Sequence, residues 1–339
     1  MEWTADVSAG DWLRERLDAD WSSSSMHQVV PRGFPAYARI FHRATRDRPA
    51  DRPWPPLPYA AHAREWRLFQ AADPPIDVER VSWAETARAF DTVMHPLAQW
   101  HRLVGHDPAD PLSEDGPRDR RGWRYGDPPA GDLDAETLRV VAGVLAQHTG
   151  TPADGCVGVW SGWGGLVGFV GAAPARTLFQ LSDQDAGGDA VGAASLAQHN
   201  DMLGHSTRDP FNKVFRQPSW QPGILPDEIS KGPRLELPAR EHLLFRGGVA
   251  ELAEPDWTQR SPWRDRELEK HGFPPGAQSP SVVWPADRAW VLVSEVDYDS
   301  TIVAGDAALV RALVDDPRLE AAAVPAGADL SWDGDEVNG

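Results

Sequence analysis

Glu295, Asp297 and Asp299 fall at alternate positions in the stretch WVLVSEVDYDST, Trp290 to Thr301. In an extended strand alternate residues share a face. Val291, Val293, Glu295, Asp297 and Asp299 would then line one side, and Trp290, Leu292, Ser294, Val296 and Tyr298 the other. Neighbours on one face lie about 6.5–7 Å apart. Two carboxylates at that spacing can converge on one Mg²⁺ whose shell is completed by water. The outer pair, roughly 13 Å apart, cannot easily share an ion. One candidate chemistry is therefore a Mg²⁺ site on Asp297 and Asp299, catalytic as well as metal-binding. Neutralising both would then relieve their repulsion and slightly stabilise the metal-free chain. The competing expectation is a strand leaving the core with a solvated acidic face and turning at Asp299-Ser300.

The D-x-D-x-T pattern within Val291–Ile302 resembles the opening motif of the haloacid-dehalogenase phosphohydrolases. That resemblance implies Asp297 as the nucleophile on phosphorus, Asp299 as general acid-base and Mg²⁺ as cofactor. The rest of the chain departs from the family pattern. Only 38 residues follow Thr301, and no lysine follows Lys270, whereas the later motifs supply a Ser/Thr, a Lys and an acidic pair over far more chain. The alternating strands and helices of a doubly wound sheet are also missing. Over longer stretches, VPRGFPAYARIFH, LELPAREHLLFRG and SPSVVWPADRAWVLVSEVDYDSTIVAGDAALVRALVDDPRLEAAAV, the chain is similar to a group of soluble actinobacterial proteins, a resemblance that implies no activity.

Other residue sets suggest other chemistry. Asp287 and Arg288 stand between Trp284 and Trp290, which together with Glu295 form a candidate ligand-binding set. His95, His101 and His106 lie on or just after one helix, but none is paired at the i, i+4 spacing of a helical zinc site. His199, Asp201 and His205 could meet in a loop. The glycines of GWGGLVG lack the spacing of a dinucleotide fingerprint, and no phosphate-binding P-loop pattern occurs. Ser161 lacks the flanking glycines of a nucleophile elbow. Cys156 sits in an apolar run that should raise its pKa and make it a poor nucleophile.

The chain has 339 residues, with 51 acidic and 33 basic side chains and a formal net charge of −18. A surface that acidic repels nucleic-acid phosphates and anionic lipid and favours a basic protein partner. A single cysteine and an N-terminus without an apolar segment suit a reducing cytoplasm. The apolar stretch 156–173 is long enough to be considered for a membrane span, but its six glycines favour two buried strands joined by a turn.

The elements that must position these residues follow from periodicity. Strands are expected over 34–41, 176–183, 240–249, 289–298 and 301–304. Helices are expected over 83–104 (interrupted near Pro96), 134–149 capped by Asp134, and 306–315 capped by Asp306. A further helix is possible at 193–203. Residues 43–66 are rich in Pro, Arg and Asp, 107–132 in Gly, Pro and Asp, and 183–233 in Asp, Gly, Ser and Pro, and these three and 254–281 are expected to be loops. The fold class expected is α+β, with a largely antiparallel sheet, a few packing helices and long loops. An N-terminal region, 1–132, precedes a C-terminal α+β region, 133–339, and the two could form one integrated domain. Val291, Val293 and Val296 should be buried in a central strand, with Leu309 and Leu313 packed on the same sheet. The functional expectation is non-enzymatic binding of a basic protein partner, of immunity or regulatory type, without a cofactor. The alternative is the Mg²⁺-dependent phosphohydrolase.

Overall fold

The computed structural model describes residues 1–19, 24–105, 115–171, 218–270 and 275–339. Its strands in chain order are β1 (Glu2–Trp3), β2 (Ala36–Phe41), β3 (Ala44–Pro49), β4 (Ile76–Val81), β5 (Arg124–Tyr125), β6 (Gly155–Trp160), β7 (Phe169–Gly171), β8 (Ser219–Gln221), β9 (Leu235–Glu236), β10 (Glu241–Arg246), β11 (Val282–Pro285), β12 (Val291–Val293), β13 (Ser300–Gly305) and β14 (Ala321–Val324). Nine of them form one sheet in the order β1-β10-β6-β11-β12-β13-β2-β14, with β9 beside β10. Every pairing in it is antiparallel. The α+β class with a largely antiparallel sheet is therefore correct. Strands from both sides of residue 132 share this sheet, since β2 lies between β13 and β14.

Each face of the sheet carries its own core. On one face Ala38, Ile40, Val157, Leu243, Leu292 and Val303 pack against the helices Ala135–Ala146 and Ala307–Val314. Asp134 and Asp306 cap those helices, accepting from the backbone N–H of Thr137 and Leu309. Leu309 and Leu313 meet the same sheet face as Leu292, and Val291 and Val293 are buried in a central strand as expected, whereas Val296 is buried in the turn that follows it. On the other face Tyr37, Leu244, Val282, Val291 and Val293 are covered by the N-terminal segment around Trp12, Leu13 and Val30. Truncating Val293 to Ala removes two buried methyl groups from this second core. Urea unfolding should show a loss of about 1–3 kcal/mol, and an unchanged midpoint would mean that the packing is wrongly assigned.

Several expectations need correction. Residues 43–66 are not all loop. β3 runs through them, paired with β4 and β5, and the helix Ala63–Ala72 begins within them. The Arg/Asp alternation that reads as solvated is stabilised across the strands: Arg46 reaches Glu79 at 2.7 Å, and Arg124 reaches Asp47 at 2.6 Å. Arg48 lies 4.3 Å over the Trp123 ring. Second, 156–173 does not form a hairpin with itself. β6 pairs with β10 and β11, while β7 pairs with β8. Third, the strand expected over 289–298 ends at Val293, and Tyr298 N–H donates to the Glu295 carbonyl to close a turn. The segment expected to be loop over 254–281 also contains the short helices Trp257–Arg260 and Arg266–Lys270. The expected elements at 176–183 and 193–203 lie outside the described residues. No helix among the described residues is long and apolar enough to cross a membrane.

Candidate functional site

Because β12 ends at Val293, the acidic residues sit on a turn rather than along one strand face. Glu295 is buried, whereas the Asp297 side chain is 75% exposed. Both carboxylates are held by the same guanidinium. Arg240 Nε donates to Glu295 Oε1 at 3.1 Å, and its Nη2 donates to Asp297 Oδ2. Burial pushes the Glu295 carboxyl above its ordinary pKa, although the Arg240 charge opposes this. Asp299 goes elsewhere. It accepts from Arg39 Nη2 at 3.2 Å, and Arg39 belongs to β2. Arg240 precedes β10, which is separated from β2 by β6, β11, β12 and β13. Asp297 and Asp299 are therefore divided between two arginines from distant parts of the sheet, and a shared Mg²⁺ would have to displace them. Among the described residues, no group of three or more His, Cys, Asp or Glu could hold a metal ion.

The aromatic set is also divided. Trp284 packs in the core beneath the N-terminal segment, edge-on to Trp12 with ring centroids 6.2 Å apart. Trp290 is sealed in the opposite core, where its Nε1–H donates to the Leu145 carbonyl. Asp287 and Arg288 lie on the exposed turn between them. Asp287 is occupied there by Thr149 Oγ1 and Gly150 N–H, and Arg288 adopts φ 56°. Of the proposed ligand-binding set, Glu295 lines a concave site.

That site is a crevice between the N-terminal segment and the end of the sheet. Leu13, Val29, Val282 and Val293 supply apolar walls, and Arg240, His242, Ser281 and Glu295 supply polar groups. Its cavity volume is about 20 Å³, room for about one water. His242 is 5% exposed, and its Nδ1 is buried without a hydrogen-bond partner. Burial lowers the imidazole pKa to about 4, so the ring is neutral at pH 7. Gly158 of β6 lies between His242 and Val282. A Cβ there would fall 2.5 Å from Val282 Cγ1, so glycine allows the two neighbouring side chains to close over the strand.

A second polar group lies deeper. Ser294, Thr301 and His42 form a chain of hydrogen bonds: Ser294 Oγ to Thr301 Oγ1 at 2.9 Å, and Thr301 Oγ1 to His42 Nε2 at 2.8 Å. His42 Nδ1 donates to the Pro129 carbonyl at 2.6 Å. Gly131 makes this approach possible. Its φ is 66°, and a Cβ on it would lie 2.4 Å from Val296 Cα. A hydroxyl–imidazole pair of this kind can activate a nucleophile. Here all three side chains are at most 1% exposed, so no substrate can reach them and the arrangement is structural.

The histidines named from sequence serve local structure. His95 Nε2 meets Asp335 at 2.8 Å, and the His101 ring stacks on Trp332 with centroids 3.6 Å apart. His106, His199, Asp201 and His205 lie outside the described residues. The Cys156 thiol is buried, which pushes its pKa up to about 11. A wider groove of about 400 Å³ is lined by Asp132, Trp163, Trp263 and Asp265. Asp132 already accepts from Ser279 N–H there.

Arg39, His42, Arg240 and His242 were not singled out from sequence. For Arg39 the available signal was its place among apolar residues in β2, while Arg240 and His242 stand together just before the apolar run of β10. Which carboxylate each arginine meets depends on strand order. Comparison of the chain with protein-family models, with curated proteins and with solved structures gives no match.

Proposed function

We propose that this protein is a non-enzymatic binding protein for a basic protein partner, received at the rim where Glu295 and Asp297 converge. The observation that carries this reading is that two carboxylates meet one guanidinium at the mouth of a partly apolar crevice. The net charge of −18 supports it, because a field of that sign draws a basic partner in and speeds encounter. The alternative phosphohydrolase reading needs Asp297 and Asp299 on one ion, and their separate arginine partners weigh against it.

Titration with an arginine-rich peptide tests the binding reading. Glu295→Gln combined with Asp297→Asn should weaken binding about tenfold, roughly 1.4 kcal/mol, relative to a charge-matched control carrying Glu65→Gln and Glu254→Gln. Equal losses in both proteins would reduce the effect to general electrostatics and end the assignment of this site. A thermal scan tests the alternative. Millimolar Mg²⁺ should raise the melting temperature no more than monovalent salt of equal ionic strength. A bound ion would instead add about 2.7 kcal/mol at a hundredfold excess over its Kd. A Mg²⁺-specific shift that disappears in the Asp297→Asn, Asp299→Asn protein would favour the enzyme.

A further inference from the structure

We infer that the Glu295–Asp297 rim is a guanidinium cradle occupied by the protein's own Arg240, and that an arginine side chain of the partner displaces it. This rests on the binding reading above and names the chemistry of the group recognised. Three surfaces surround the Arg240 head. Glu295 Oε1 accepts from its Nε at 3.1 Å, Asp297 accepts from its Nη2, and the Trp160 ring lies 5.6 Å from its Cζ. Two acceptors beside an aromatic face match a planar fork of N–H donors better than a compact ammonium.

Arg240 is placed to leave. It lies on the turn before β10, where Leu237 N–H donates to the Arg240 carbonyl, and its side chain is 28% exposed. It closes a crevice that retains room for about one water.

The buried Nδ1 of His242 is the second and independent observation. It has no partner at full hydrogen-bond geometry, the ring's weaker contacts being with the Leu235 and Arg240 carbonyls, and the ring lines the same crevice. A neutral imidazole nitrogen can accept a hydrogen bond. The crevice therefore presents acceptors from Glu295 and His242, with Asp297 beside it on the exposed rim, and Arg240 is the cation it already holds. An occupant carrying only donors, with an aliphatic stem for the walls of Leu13, Val29 and Val293, completes the set. The excess of carboxylates over basic groups favours a cationic occupant over an anionic one.

The test removes the resident side chain and offers a free substitute. N-Propylguanidinium and propylammonium chlorides are titrated at matched ionic strength into the parent, Arg240→Ala and Arg240→Ala/Glu295→Gln proteins, with melting temperature and calorimetry as readouts. Arg240→Ser is used in the same way if the alanine variant folds poorly. The Arg240→Ala protein should bind propylguanidinium about tenfold more tightly than propylammonium, and about tenfold more tightly than the parent does. Adding Glu295→Gln should abolish the preference. Equal binding of the two cations, no binding by the opened variant, or a preference that survives Glu295→Gln would each overturn the inference. The peptide titration of the parent is a separate measurement. A cradle that takes propylguanidinium in a protein that ignores the peptide would reject the partner reading and retain the cradle.

Discussion

Arg39→Met is expected to destabilise the protein by about 3–5 kcal/mol, and Asp299→Asn by about 3 kcal/mol, because each leaves a buried partner uncompensated. Arg39 is 1% exposed. Its guanidinium donates to Ser300 Oγ at 2.8 Å, to the Ala98 and Pro96 carbonyls at 2.8 and 3.3 Å, and to Asp299 at 3.2 Å. The rings of Phe41 and Trp83 flank it at 4.7 and 5.4 Å. Burial lowers the Arg39 pKa and raises that of Asp299, so neither charge is comfortable without the other. Asp299 keeps 24% of its side-chain surface exposed, which places its loss at the lower end of the range. The double variant Arg39→Met/Asp299→Asn should lose about 1–3 kcal/mol less than the sum of the single changes. Strict additivity in urea unfolding would show that the pair is not coupled. The expectation that neutralising Asp297 and Asp299 stabilises the metal-free chain is thereby reversed. Their repulsion is small beside the loss of the Arg39 partner.

Acidification should unfold the protein through His42 and His242. Burial is the main cause of depression in both, and each has a pKa of about 4 against an ordinary 6.5. Between those values the unfolded chain binds a proton that the folded chain refuses. The stability contributed by each neutral ring is therefore full above pH 6.5 and is lost as pH falls through 4. The loss approaches about 3 kcal/mol per histidine, with a slope of about 1.4 kcal/mol per pH unit for each. Glu295, Asp299, Glu320 and Asp132 act with the opposite sign. Their raised pKa values make protonation favour the folded state as pH falls. Comparing variants separates the two effects. His42→Gln and His242→Gln should each reduce the dependence of unfolding free energy on pH between 6.5 and 4 by about one proton, whatever they cost at pH 7. Identical pH slopes for the parent and both variants would show that these imidazoles titrate normally.

Much of the frame was legible in the sequence because it rests on local rules. Asp134 and Asp306 precede amphipathic runs, and both became caps. The two-sided apolar run at Val291–Val293 became a central strand, since a segment apolar on both faces is stable only between two cores. In β2 Ala38 and Ile40 face one core and Tyr37 the other, as the alternation of a strand requires. What the sequence could not supply was the result of pairing between distant segments. Trp284 and Trp290 share even parity, yet they face opposite cores. The turn at 286–289 resets the alternation, and the register sets Val283 against Leu292. Polar alternation in β3 read as loop because its stabilising partners, Glu79 and Arg124, lie 33 and 77 residues away from Arg46 and Asp47 respectively. The acidic triplet looked like one face, but the chain turns after Val293. Only the order of strands in the sheet determines that Arg240 takes Glu295 and Asp297 while Arg39 takes Asp299. Charge and spacing along the chain specify what a carboxylate can bind, and the tertiary structure decides which cation arrives, because the competing arginines are separated in sequence and brought together only by long-range strand pairing.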